Sequence, residues 1–144
     1  MDSGKRRRRL WGEALIFLFL TAVVTLASLW MKVYLDSQSY FVKAEGIFQK
    51  AQQTGRPGEL MRTAELYLSS IRSYAPLNRS NRIALAKILA IGQKLEGTAH
   101  QEGASGLYRR TRAALSSASS VYVPHSDLDR ELKARMARLV PAEP

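Results

Sequence analysis

"KRRRRLWGEALIFLFLTAVVTLASLWM", residues 5–31, sets five consecutive cations, Lys5, Arg6, Arg7, Arg8 and Arg9, against an apolar run that continues to Met31. Between Leu10 and Met31 the only ionisable side chain is Glu13, one turn from the basic flank. The length matches a bilayer-spanning helix, which needs about 20 predominantly apolar residues. Trp11 and Trp30 stand nineteen residues apart, roughly 28 Å along a helix and close to the thickness of a hydrocarbon core. Indole rings favour that boundary, so both are expected to anchor the ends of the span. Eleven Leu, Ile, Phe and Val side chains fall in the run. At about −0.3 to −0.6 kcal/mol each they favour insertion by roughly −3 to −7 kcal/mol before the polar positions are subtracted.

The cations then act as a topology signal. Beyond the span only Lys32 and Lys43 lie in the near flank. The positive-inside bias therefore predicts a cytoplasmic N-terminus and an extracytoplasmic remainder, periplasmic if the cell is bacterial. A cleavable signal peptide also opens with a basic segment, and Thr25-Leu26-Ala27 resembles a small-residue cleavage site. Its apolar region, however, runs to only about 7–15 residues. A nucleic-acid arm would adjoin a domain with further basic and aromatic surface; here the arm adjoins a lipid-soluble helix, and no nucleic-acid partner is expected. Within the span Ala14, Thr21, Thr25 and Ser28 fall on one helical stripe. Small stripes permit close helix approach in lipid, so this face is the candidate contact with another transmembrane helix.

The 144-residue chain carries a formal charge of +10, and residues 32–144 keep 17 of its 22 basic and 10 of its 12 acidic side chains, an excess of +7. Such an excess suits an anionic partner or a solubilising surface. The absence of cysteine excludes disulfides, thiolate zinc sites and a cysteine nucleophile.

Beyond the membrane the apolar spacing is helical throughout, and no run alternates as a strand would. SYFVKAEGIFQKAQQ (39–53) places Tyr40, Ala44, Ile47, Phe48 and Ala51 on one face, with no strong breaker between it and the span. After Gly55, Pro57 and Gly58, the stretch 59–75 puts Leu60, Met61, Ala64, Tyr67, Leu68, Ile71 and Tyr74 on one side, and Pro76 stops it. A third helix should follow the Asn78–Asn81 turn and run to Gly97, burying Leu85, Ile88, Leu89 and Leu95, with Gly92 marking a close neighbour. Thr98 and Gln101 have capping-box spacing for a helix to about Ser119. Pro124 closes it, and Ser126 should cap a last helix with Leu128, Leu132, Met136 and Leu139 on its apolar stripe. The prediction is all-α: a basic tip (1–9), one transmembrane helix (10–31), an extracytoplasmic domain of two helical hairpins plus a terminal helix (32–140), and a short tail (141–144).

A 41-residue shift superimposes Gln52 on Gln93, Ile47 on Ile88 and Tyr67 on Tyr108, but sets Ile71 on Arg112 and Leu60 on Gln101. The matches suggest a weak internal repeat, and the mismatches leave divergent duplication and coincidence both open. In RTAELYLSSIRSYAPLN, Ala64, Leu68, Ile71 and Pro76 have the spacing that resembles the second helix of a tetratricopeptide repeat, and the trailing Pro-Leu-Asn is similar to that family's turn. The resemblance covers about one repeat; the preceding helix lacks the family's Trp and Leu-Gly positions. It implies a scaffold that binds proteins or peptides through packed helices.

No grouping of nucleophile, acid and base appears, and no phosphate loop or dinucleotide fingerprint. The string His125-x-Asp127-x-Asp129 reads as a helix start, where acids favour the dipole, in preference to a metal site. Asn78-Arg79-Ser80 fits a glycosylation acceptor by pattern alone. Arg109, Arg110 and Arg112 form the densest basic patch past the span and are the candidate partner-facing cations. No catalytic, metal or cofactor residues are assigned. Expected partners are membrane lipid and a membrane protein or a second copy of the chain, with a small-molecule ligand disfavoured. The functional expectation is a non-catalytic, membrane-anchored adaptor or accessory subunit of a larger complex. A single-pass sensory module with a ligand pocket between its hairpins is the competing reading.

Overall fold

A computed structural model describes residues 3–73, 78–98, 100–118 and 125–139; side chains up to Leu10 and that of Ala118 lie outside the description. The chain is all-α: α1 (Ser3–Thr54), α2 (Pro57–Arg72), α3 (Arg79–Gly97), α4 (Gln101–Ala118) and α5 (Ser126–Leu139), with no strand among the described residues. Two compact units divide it, one ending at Val33 and one starting at Tyr34.

The first unit is the apolar part of α1. One segment of α1 is long and apolar enough to cross a membrane, and none of its most apolar window is buried by the protein. Phe17, Leu18, Phe19 and Leu26 each expose about two-thirds or more of their surface. The hydroxyls of Thr21, Thr25 and Ser28 donate to the carbonyls of Phe17, Thr21 and Val24 at 2.9, 2.8 and 2.8 Å. A side chain bonded to its own preceding turn leaves no unmet donor on an apolar rod.

The second unit packs residues 34–54 of α1 with α2, α3, α4 and α5 around one core, in which Leu60, Tyr67, Leu68, Leu85, Ile88, Leu95, Leu107, Tyr108 and Leu132 have no exposed surface. Helix ends follow local chemistry. Gly55, at φ 62°, takes the left-handed conformation that closes α1, and Pro57 opens α2 where its missing N–H costs nothing. The Asn78 side chain accepts from the Ser80 N–H at 3.0 Å, capping α3 as its composition predicts. The Thr98–Gln101 capping box does not form. The Thr98 hydroxyl turns back to the Leu95 carbonyl at 3.1 Å, ending α3, and α4 begins at Gln101. Ser126 is the first residue of α5, not its cap; the His125 carbonyl accepts from Leu128 and Asp129, and His125 itself sits at φ 56°. Tyr74, Pro76, Tyr122, Pro124 and the tail lie outside the described residues.

The pattern of buried positions recurs along the helices at 44 residues better than at 41. Pro57 and Gln101, which open α2 and α4, lie 44 residues apart. At that shift Leu60, Thr63, Ala64, Tyr67, Ser70 and Ile71 fall on Ala104, Leu107, Tyr108, Thr111, Ala114 and Leu115, every one buried. Applied twice along the other helices it aligns Ala44, Ile88 and Leu132, all buried, then Phe48, Gly92 and Met136. The 41-residue shift instead puts buried Leu60 on exposed Gln101 and buried Ile71 on exposed Arg112, whereas at 44 only Leu68 of the buried α2 residues falls on an exposed one, Arg112. The unit is therefore two helical pairs, α1–α2 and α3–α4, followed by α5 in the position of a third first helix. The period lies within the range of stacked helical repeats but beyond the roughly 34 of tetratricopeptide units.

Candidate docking groove between α4 and α5

The arginine patch divides once its packing is known. Arg110, itself exposed, is engaged within the chain: it pairs at the surface with Glu65 and links α4 to α2. Arg109 and Arg112 leave α4 on its other side and are exposed. There they line an open groove of about 410 Å³ with Ala113 and Ser116, faced across the gap by Asp129, Lys133 and Met136 of α5. Asp129, only 7% exposed, is held by Lys133 at 2.8 Å and Arg112 at 3.7 Å. One carboxylate thus faces three cations, and the groove keeps a positive surplus over an apolar floor of Ala113 and Met136. Sequence reading missed Lys133 and Asp129 because only the packing of α5 on α4 brings them to the arginines.

The buried tyrosines do structural work. The Tyr67 hydroxyl donates to Glu45 at 2.5 Å, and Lys87 of α3 meets the same carboxylate at 3.6 Å while its ammonium lies 3.9 Å from the Phe48 ring centre. One pair further on, Tyr108 donates to Glu96 at 2.5 Å and Arg135 of α5 meets that carboxylate at 3.6 Å. Each clamp ties a first helix, its second helix and the next first helix. Burial, then the bond to the carboxylate, pushes both phenols above their ordinary range, so they stay protonated and act as donors.

Ser37, Ser70, Asn78 and Asn81, all buried, form a polar knot joining α1, α2 and α3. Ser37 donates to the Ser70 carbonyl at 3.0 Å and to Asn81 at 3.3 Å, and the Asn78 amide donates to Ser37 at 3.2 Å. That bond occupies the nitrogen that glycosylation would need. Of the His125 string, Asp127 pairs with Arg82 at 3.0 Å while Asp129 faces the groove. The Nε2 of His125 is buried without a hydrogen-bond partner among the described residues. Burial, then the Arg82 guanidinium, pushes this imidazole below the usual 6.5 against the pull of Asp127.

Ala14, Thr21, Thr25 and Ser28 fall along one stripe of α1, with Trp11 and Trp30 near the ends of the apolar run. The backbone of Lys5–Arg9 belongs to α1, and their side chains lie outside the description. Comparison with protein-family models, curated proteins and solved structures finds no match to this chain.

Proposed function

We propose that this chain is a membrane-anchored helical adaptor, or an accessory subunit of a larger membrane protein complex, that works by position and not by catalysis. One observation carries the reading. An apolar segment that nothing in the protein covers continues in sequence into a stacked-helix unit with its own core. In water such a segment is an exposed apolar surface far larger than a soluble monomer tolerates, and in lipid it is satisfied. Lys5–Arg9 support a cytoplasmic N-terminus and an extracytoplasmic bundle through the positive-inside bias. The span lodges in the bilayer, its Ala14/Thr21/Thr25/Ser28 face packs on a partner helix, and the stacked pairs hold a partner at the membrane surface.

Extraction by alkaline carbonate and affinity purification in mild detergent test this reading. The protein is expected in the carbonate-resistant membrane fraction, with a stoichiometric membrane protein beside it. Release into the soluble fraction, or a protein trimmed near Ala27, overturns it. A detergent monomer retaining a small molecule favours the sensory module. Thr21→Leu with Thr25→Leu is expected to reduce partner recovery. A C-terminal reporter active only in the cytosol reverses the orientation.

A further inference from the structure

The groove between α4 and α5 corresponds, through the 44-residue register, to a seat already filled one repeat earlier. Moving its lining back by 44 positions turns Arg109 and Arg112 of α4 into Glu65 and Leu68 of α2, and Lys133 and Met136 of α5 into Leu89 and Gly92 of α3. Those earlier residues meet α4 or lie buried between the pairs. Glu65 takes Arg110, Gly92 lies under the Tyr108 ring, Leu68 has no exposed surface and Leu89 almost none. So α2 and α3 together hold α4. In the same register α4 and α5 present the corresponding two walls, and among the described residues no helix lies between them.

The chemistry of those walls has changed sign. Where the filled seat offers Glu65 to a cationic helix, the open one offers Arg109; where it offers Leu68 and Leu89, the open one offers Arg112 and Lys133. Asp129 offsets one of these cations, and Ala113 and Met136 keep an apolar strip along the floor. We infer that this groove is the seat of an acidic amphipathic helix from a partner protein, which docks as the second helix of a third repeat. A second copy of this chain is the weaker fit, because none of α2, α3, α4 or α5 is net acidic. Apolar anchors at helical spacing would lie on the strip, and flanking carboxylates would meet the cations in the mode of helix-in-groove recognition. The inference deepens the adaptor reading and rests on it.

The test uses the full chain in neutral-detergent micelles. The probe is a fluorescent peptide with the 18-residue α4 sequence, altered by R109E, R110E and R112E to meet the cations and by Y108A to clear Met136. Saturable binding by anisotropy is expected, weakened at least about tenfold as salt rises from about 50 to about 500 mM. Arg109→Glu, which reverses an exposed charge, and Ala113→Trp, which fills the floor, are each expected to weaken it at least about tenfold with the thermal melt unchanged. The proposal is overturned if the probe fails to bind, or if either variant binds it as the native chain does. It is equally overturned if the unaltered α4 peptide, or an unstructured oligoglutamate of equal charge, binds as tightly. Carbonate extraction and partner recovery are read on separate samples, so failure of the seat and failure of the anchored-adaptor reading are told apart.

Discussion

Gly92 shows how closely the stack is fitted. A Cβ built there runs into the ring and hydroxyl of Tyr108, which is itself fixed by Glu96. Gly92→Ala therefore forces Tyr108 off its rotamer and is expected to destabilise the fold by about 1–3 kcal/mol, measured as a fall in the denaturant midpoint with unchanged slope. His125 sets the response to acid. Its imidazole titrates below the usual 6.5 in the folded protein, so the unfolded chain binds more protons in that range. The contribution to stability is complete above about 6.5 and is lost as pH falls through the folded value. His125→Asn, a residue tolerant of the left-handed backbone found there, is expected to flatten this acid limb in melts run from neutral to about pH 5. Gly92 was legible from sequence as a close contact because glycine inside a strong helical pattern needs a packing reason. The depressed His125 was not, since Arg82 lies 43 positions away in sequence and reaches it only through packing.

Among the helices, α2 reads most clearly from its spacing. Five of the seven residues assigned to its apolar side, Leu60, Ala64, Tyr67, Leu68 and Ile71, are buried, Met61 is partly so and Tyr74 lies outside the described residues. The α1 face is rotated from its prediction: Ala44, Phe48 and Ala51 are buried, but Tyr40 is exposed and Ile47 half-buried. The rotation follows Ser37, whose hydroxyl is drawn under α2 and α3 by Ser70 and Asn81. A buried serine carries no periodic signal, so hydrophobic spacing alone cannot find this register. Asn78 joins that knot to the α3 start, and Asn78→Ala removes both the cap and the bond to Ser37. A loss of about 1–2 kcal/mol is expected, with faster amide exchange in the first turn of α3.

At the scale of the whole molecule, the repeat explains why likeness of residue types misled the period. The 41-residue shift matches Tyr67 to Tyr108 and Gln52 to Gln93, whereas the 44-residue register preserves burial at most α2 core positions, Leu68 on Arg112 excepted, and lets identity drift. In the second pair Gly92 lies against Tyr108, and their counterparts 44 positions earlier are large Phe48 and small Ala64, so the large and small residues have exchanged helices. Neither position keeps its residue, while each pair keeps one large and one small side chain, as volume-conserving core exchange allows. The second unit holds its own core, so a fragment beginning at Tyr34 is expected to stay helical in aqueous buffer and melt cooperatively, checked by circular dichroism. The hydroxyls of Thr21, Thr25 and Ser28 have a consequence at this scale as well. Each already spends its proton on its own backbone, so with the segment in a bilayer, as proposed, these three hydroxyls would not force a lone copy to pair. Residence with any companion would then be set by shape and by what lies outside the bilayer, leaving the assembly open to exchange.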